Sequence, residues 1–75
     1  MSILSDKVAA LSVNYFGPAA RKFLERQTTA HIHGIAFDDL QKNELAELAK
    51  WINVSGSLII DKVKAKELSD KVVSM

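Results

Sequence analysis

The chain contains no cysteine, one proline and three glycines among its 75 residues. Without cysteine it can form no disulfide and carry out no thiol chemistry, which fits a reducing compartment. A single proline together with 48% hydrophobic residues is atypical of a disordered chain. We therefore expect a globular protein with a hydrophobic core.

The chain also lacks an excess of charge and a long hydrophobic run. Ten lysines and arginines stand against nine acidic residues, a formal net charge of +1. Long-range attraction to nucleic acid or to a membrane is therefore not expected. The N-terminal MSILSDKVAAL has neither the basic leader nor the apolar block of a signal peptide. These absences predict a cytoplasmic protein without a membrane partner.

Hydrophobic residues recur mainly at helical spacing, and only HIHGIAF alternates as a strand would. No linker, repeat or low-complexity tract divides the chain. The pattern predicts one all-α domain over residues 1–75, a small bundle of four main helices. One extra short helical turn is an option near Asp38 to Leu40.

The first two helices are predicted to meet at Gly17 and Pro18. Gly17 can end a helix in the left-handed conformation, and Pro18 suits the start of the next. The first helix is expected from about Ser2 to Tyr15. Its apolar face comprises Leu4, Val8, Leu11 and Tyr15, with Ala9, Val13 and Phe16 beside them.

The second helix is expected to end near His31 or Ile32, with Gly34 as its stop and Ile35 folding back. Its inner side comprises Ala20, Phe23, Leu24 and Gln27, and its outer side comprises Arg21, Lys22, Glu25 and Thr28.

The third helix is predicted to begin after a cap at Asn43, and the fourth after a cap at Asp61. Gly56 either permits a close helix contact or ends the third helix early. The inner stripe of the third helix comprises Leu45, Leu48, Ala49, Ile52, Gly56 and Ile59, and that of the fourth comprises Ala65, Leu68 and Val72.

No pattern in the chain predicts a catalytic or metal site. A phosphate loop, a nucleophile elbow and a carboxylate pair at characteristic spacing are all missing from the sequence. His31 and His33 lie about 200° apart on a helix, so a metal would need ligands from elsewhere. We expect neither an enzyme nor a cofactor, and no small-molecule substrate. A histidine near a helix C-terminus is explained by the helix dipole.

Arg21, Lys22 and Arg26 form the strongest candidate site. They follow a helix start that has no acidic residue, so the free N–H groups there could hold a phosphate or carboxylate. The alternative is that Glu25 pairs locally with Arg21 or Lys22, which leaves no free site.

Trp51 is the second candidate. It lies beside the stripe of Leu48 and Ile52, so core packing is the favoured interpretation. The alternative is an exposed anchor for a partner, because tryptophan is enriched in interface hot spots. The lysines of the fourth helix are interpreted as a solvated face because Glu67 and Asp70 lie among them.

The stretch FGPAARKFL, residues 16–24, is followed by Arg26 and then by ELAELA at residues 44–49. This arrangement resembles a small helical accessory module of bacterial signalling proteins, found in chains that include serine/threonine kinases and receiver proteins. The resemblance covers residues 16–52 and brings no catalytic residues. It implies a role in signalling.

Together these features predict a non-catalytic protein-interaction or assembly module of bacterial signalling that could also associate with itself. The alternative is weak nucleic-acid or phosphate binding through Arg21, Lys22 and Arg26, although the small net charge makes nucleic acid the less favoured partner.

Overall fold

Helices account for most of the computed structural model, which describes residues 3–75. No strand occurs among these residues, so the all-α prediction is confirmed. The α-helices are α1 (Ile3–Phe16), α2 (Ala20–His31), α3 (Leu45–Gly56) and α4 (Lys62–Val73). Three 3-10 turns are Gly17–Ala19, Phe37–Asp39 and Lys42–Glu44. The predicted start of the first helix at Ser2 lies outside the described residues.

The predicted count of four main helices is wrong when α-helices joined by a 3-10 turn are counted as one. The 3-10 turn Gly17–Ala19 joins α1 directly to α2, so helical residues run unbroken from Ile3 to His31. Counted in this way, the described residues form three longer helical bodies. The sequence shows where the direction changes, but it does not show that a tighter helical turn bridges the change.

Glycines do make the two predicted corners. Gly17 has φ +65° between α1 and α2, and Gly34 has φ +68° after α2. Both conformations are left-handed and favour glycine. After the second corner the amide of Ile35 donates to the carbonyl of Ile32 at 3.1 Å, and Ile35 packs against the core as expected.

Two 3-10 turns, rather than one, precede α3, and Asn43 is not the cap. The chain already turns at Lys42–Glu44, so the amide that needs a partner is that of Gln41. It donates to Oε1 of Glu44 at 2.9 Å. The start of α4 follows the prediction, because Oδ1 of Asp61 accepts from the amide of Val63 at 3.2 Å.

The core is formed by apolar side chains from all four α-helices and from the segment between α2 and α3. That segment contributes Ile32, Phe37 and Leu40, each nearly inaccessible to solvent. Its burial explains why a link without α-helix is held in place. The central side chains are Val8, Leu24, Leu48, Ile52, Leu68 and Val72.

The inner face of α1 differs from the prediction. Ser5 and Ser12 are completely buried, whereas Val13 is 50% exposed. Leu4, Leu11 and Tyr15 lie half-buried at the edge of the core. The helix therefore packs through small side chains, which let its backbone approach its neighbours closely. Val8 and Ala9 are buried as predicted, but hydrophobicity alone does not show the burial of the two serines.

Thr28 and Ile59 also differ from the prediction, which places Thr28 on the outer side of its helix and Ile59 on the inner side. Thr28 is completely buried, and its hydroxyl is satisfied by the carbonyl of Glu25 at 3.1 Å. Ile59 is 64% exposed because α3 ends at Gly56 before the helical stripe reaches it.

Gly56 is both the last residue of α3 and a point of close helix approach. A Cβ added there would lie 3.1 Å from Cζ of Phe16 and 3.6 Å from Cβ of Ala65. Both interpretations offered by the sequence are therefore correct. Phe16 in turn stacks on Phe23 of α2, with 4.3 Å between ring centroids. Contacts that begin at this one glycine thus reach all four α-helices, α2 through the Phe16–Phe23 stack.

In the part of the chain from Ile3 to Met75, none of the helices has the length and apolar character needed to cross a membrane.

Substitution of Gly56 by leucine should lower the free energy of unfolding by about 1–3 kcal/mol, because the new side chain overfills the contact with Phe16. Urea denaturation measures the change. Asn53→Leu is the matched control on the exposed face of α3 and should stay within about 0.5 kcal/mol of wild type. Equal stability of Gly56→Leu and wild type would contradict the close contact.

Substitution of Ser12 by alanine should raise stability by about 1 kcal/mol, because its buried hydroxyl has no hydrogen-bond partner. Thr28→Val is the contrasting variant, since it removes a buried hydroxyl that is satisfied, and should cost about 1 kcal/mol. Thermal or urea unfolding compares them. The interpretation fails if the alanine variant loses as much stability as the valine variant.

Candidate functional site

Arg21 is held by intramolecular partners. Its guanidinium donates to Oδ1 of Asp38 at 3.0 Å and to Oδ1 of Asp6 at 3.1 Å. It also lies 5.4 Å from the ring centroid of Phe37. The hydrogen bond to Asp38 raises the pKa of Arg21 above its ordinary value. Arg21 therefore joins α1, α2 and the following loop.

This arrangement changes the predicted anion site. The alternative offered by the sequence was a local pair of Glu25 with Arg21 or Lys22, yet the acidic groups that Arg21 contacts come from α1 and the Phe37–Asp39 turn. The helix start is also less open than expected, because the amide of Ala20 donates to the carbonyl of Gly17. Sequence spacing could not show these ion pairs, because both acidic partners are distant from Arg21 in the chain.

Lys22 and Arg26 remain on the outer face of α2. They lie with Glu25, Thr29 and Ala30 along one exposed helix surface. These side chains all belong to a single helix, so no second element forms a wall around them. The structure thus separates Lys22 and Arg26 from the two ion pairs of Arg21.

Trp51 is half-buried and lies outside the core cluster. Its Nε1 donates to Oε1 of Glu47 at 3.1 Å. Its ring stacks on that of His31, with centroids 3.7 Å apart and planes at 7°. The ring therefore lies outside the fully buried core and joins α3 to the C-terminal end of α2. Because the Trp51 ring stacks on His31, it is less accessible to a partner than an unstacked tryptophan would be.

His33 has φ 56° at the corner that follows α2. Within residues 3–75, no cluster of three or more histidine or acidic side chains is arranged to hold a metal ion.

A groove lies between α1 and α4. It has a volume of about 370 Å³. This lies near the lower end of the range of roughly 300–1,000 Å³ that is typical of ligand sites. Its lining residues are Leu11, Asn14, Tyr15, Ile60, Lys64, Glu67 and Lys71.

Tyr15 connects the two walls of this groove. Its hydroxyl donates to Oε2 of Glu67, which joins α1 to α4. Nζ of Lys71 lies 3.9 Å from the same carboxylate oxygen and 5.5 Å from the centroid of the Tyr15 ring. The hydrogen bond from Tyr15 lowers the pKa of Glu67, and the charges of Lys64 and Lys71 lower it further. Tyr15 and Glu67 also raise the pKa of Lys71.

The charge of the groove is positive on balance. Two lysines line it against one glutamate, and that glutamate already accepts from Tyr15. Lys64 and Lys71 are seven residues apart on α4, so their backbone positions are about 10 Å apart along one helix face. Leu11 and Ile60 add apolar surface. The groove can therefore hold an apolar group beside an anionic one.

An exposed apolar surface adjoins the groove where the chain passes from α3 to α4. Leu58 is 86% exposed, Ile59 64% and Val63 70%. We call these three residues the α3–α4 corner. Ile60, between Ile59 and Val63 in the chain, lines the groove itself. Corner and groove thus form a continuous stretch of the chain.

The groove was not apparent from the sequence. The lysines of α4 were interpreted as a solvated face, and Tyr15 was assigned to the core. Nothing in the sequence pairs Tyr15 with Glu67, which lies 52 residues away. The one available signal was the apolar run LII at residues 58–60, which directly precedes the cap of α4.

Comparisons of the chain with protein-family models, curated proteins and solved structures found no match. The resemblance over residues 16–52 to a bacterial signalling module therefore stays a prediction.

Substitution of Tyr15 by phenylalanine should raise the pKa of Glu67 toward its ordinary value of 4.5, because the carboxylate loses its hydrogen bond. In the wild type this hydrogen bond stabilises the fold at pH values above the ordinary pKa of 4.5. The stabilisation is lost as the pH falls through the lowered pKa of Glu67 in the folded state. Carboxyl ¹³C chemical shifts during a pH titration measure the change, with Glu47 as internal control. An unchanged Glu67 pKa would show that the bond is absent.

Proposed function

We propose that this protein is a non-catalytic interaction module that binds another protein through the α3–α4 corner and the adjoining groove. The observation that carries the proposal is the exposure of three large apolar side chains, Leu58, Ile59 and Val63, within a stretch of six residues. Single exposed apolar residues are common on protein surfaces, but adjacent ones are typical of contact sites.

The position of the corner supports this role. Val54 at the end of α3 is also 48% exposed, which extends the apolar surface toward that helix. A partner that covered Leu58, Ile59 and Val63 would remove apolar area from water, the main favourable term in protein association. The rest of the fold does not depend on these side chains, because they lie outside the core cluster.

The polar groups of the groove favour binding over chemistry. Tyr15, Glu67 and Lys71 interact with one another, so each is already engaged in a structural contact. Anion binding at the start of α2 has lost support, since the guanidinium of Arg21 is shared between two carboxylates. A place in bacterial signalling rests on the resemblance over residues 16–52 alone.

A photo-crosslinking amino acid at Leu58, in the full chain and in the cell that produces it, tests the proposal. We expect covalent adducts of discrete mass, identified by mass spectrometry as another protein or as a second copy. The matched control carries the same group at Thr29, an exposed position on α2. Ile59→Ser combined with the crosslinker at Leu58 should reduce the adducts, because it removes part of the apolar surface.

The proposal is wrong if Leu58 yields no adducts, or if Leu58 and Thr29 yield the same set in similar amounts. Either result would mean that the corner contacts its surroundings no more specifically than any other exposed site.

A further inference from the structure

We infer that the partner presents an acidic, apolar peptide segment, whose apolar side chains enter the groove and corner and whose carboxylates meet Lys64 and Lys71. This inference rests on the proposed function and gives the chemistry of the partner. It follows from charge complementarity and from the continuity of the two surfaces.

Lys64 and Lys71 give the groove its positive charge. Both line the groove on one face of α4, one near each end of the helix. Lys71 lies 3.9 Å from Glu67, but that carboxylate also accepts from Tyr15. Glu67 is thus shared between Tyr15 and Lys71. Its single negative charge cannot neutralise both lysines of the groove. Carboxylates of a partner would complement this excess, whereas lysines or arginines would be repelled.

The apolar surface of the groove and corner favours a peptide over a small anion as the ligand. Leu11 and Ile60 line the groove, and the exposed corner continues from Ile60 to Leu58 and Val63. A free phosphate or carboxylate would leave the corner uncovered. A chain segment that alternates apolar and acidic side chains would cover both surfaces at once. Amphipathic segments bind grooves of this kind through regularly spaced apolar anchors.

A second copy of this chain is a poorer occupant. In a two-fold symmetric dimer the same surface meets itself. Contact through groove and corner would then bring together two surfaces with the same net positive charge. Since like charges disfavour such an interface, the surface is better suited to a foreign acidic segment.

Two short amphipathic peptides with identical leucine positions provide the test. One carries glutamate at every polar position and the other carries lysine. Each is added to the ¹⁵N-labelled full chain while backbone amide signals are followed. We expect the glutamate peptide to bind roughly tenfold more tightly. The shifts should be centred on Tyr15, Ile60 and Lys64.

Matched variants test whether the preference for the glutamate peptide depends on the lysines of the groove. Lys64→Glu should reduce it several-fold, because it reverses one charge in the groove. Lys22→Glu makes the same change in net charge on the outer face of α2 and should leave the preference intact. Circular dichroism confirms that both variants fold.

The inference is overturned if neither peptide binds at low salt, if both bind equally, or if Lys22→Glu has the same effect as Lys64→Glu. Preferred binding of the lysine peptide overturns it too. Adducts at Leu58 without any preference for glutamate would leave the interaction module standing and remove only the acidic character of its partner.

Discussion

The missing side chain at Gly56 is the constraint on which the rest of the structure depends. There α3 approaches the ring of Phe16 and the methyl of Ala65 so closely that even one added carbon would be crowded. Phe16 also stacks on Phe23, so the same ring transmits the contact to α2. In a chain of 75 residues with a small core, one such contact fixes the relative positions of several helices.

The groove follows from this contact. Its residues are chain neighbours of those at the glycine: Tyr15 precedes Phe16, and Lys64 precedes Ala65. The amide of Ile60 donates to the carbonyl of Gly56 at 2.8 Å. Because α3 ends at the glycine, the next residues leave the core, which exposes Leu58 and Ile59. The packing that orders the helices therefore also creates the proposed binding surface.

The fold could be predicted from the sequence where local chemistry decides. Gly17, Gly34 and Asp61 act as corners and a cap through their own backbone or side-chain properties, and each was identified correctly. Burial and contacts that depend on distant parts of the chain could not be predicted. Ser12 is buried and Val13 exposed because of the helices around α1. The pairs of Arg21 with Asp38 and of Tyr15 with Glu67 likewise join distant segments, so the sequence showed neither the partners of Arg21 nor the groove.

The most direct test of the close approach at Gly56 is a NOESY spectrum of the wild-type protein in solution. We predict strong cross-peaks between the ring protons of Phe16 and the Hα protons of Gly56, because a Cβ at that position would lie 3.1 Å from Cζ of the ring. If the Phe16 ring shows cross-peaks only to α1 and α2, the helices do not meet at Gly56. The groove and corner would then lack the arrangement on which their proposed role rests.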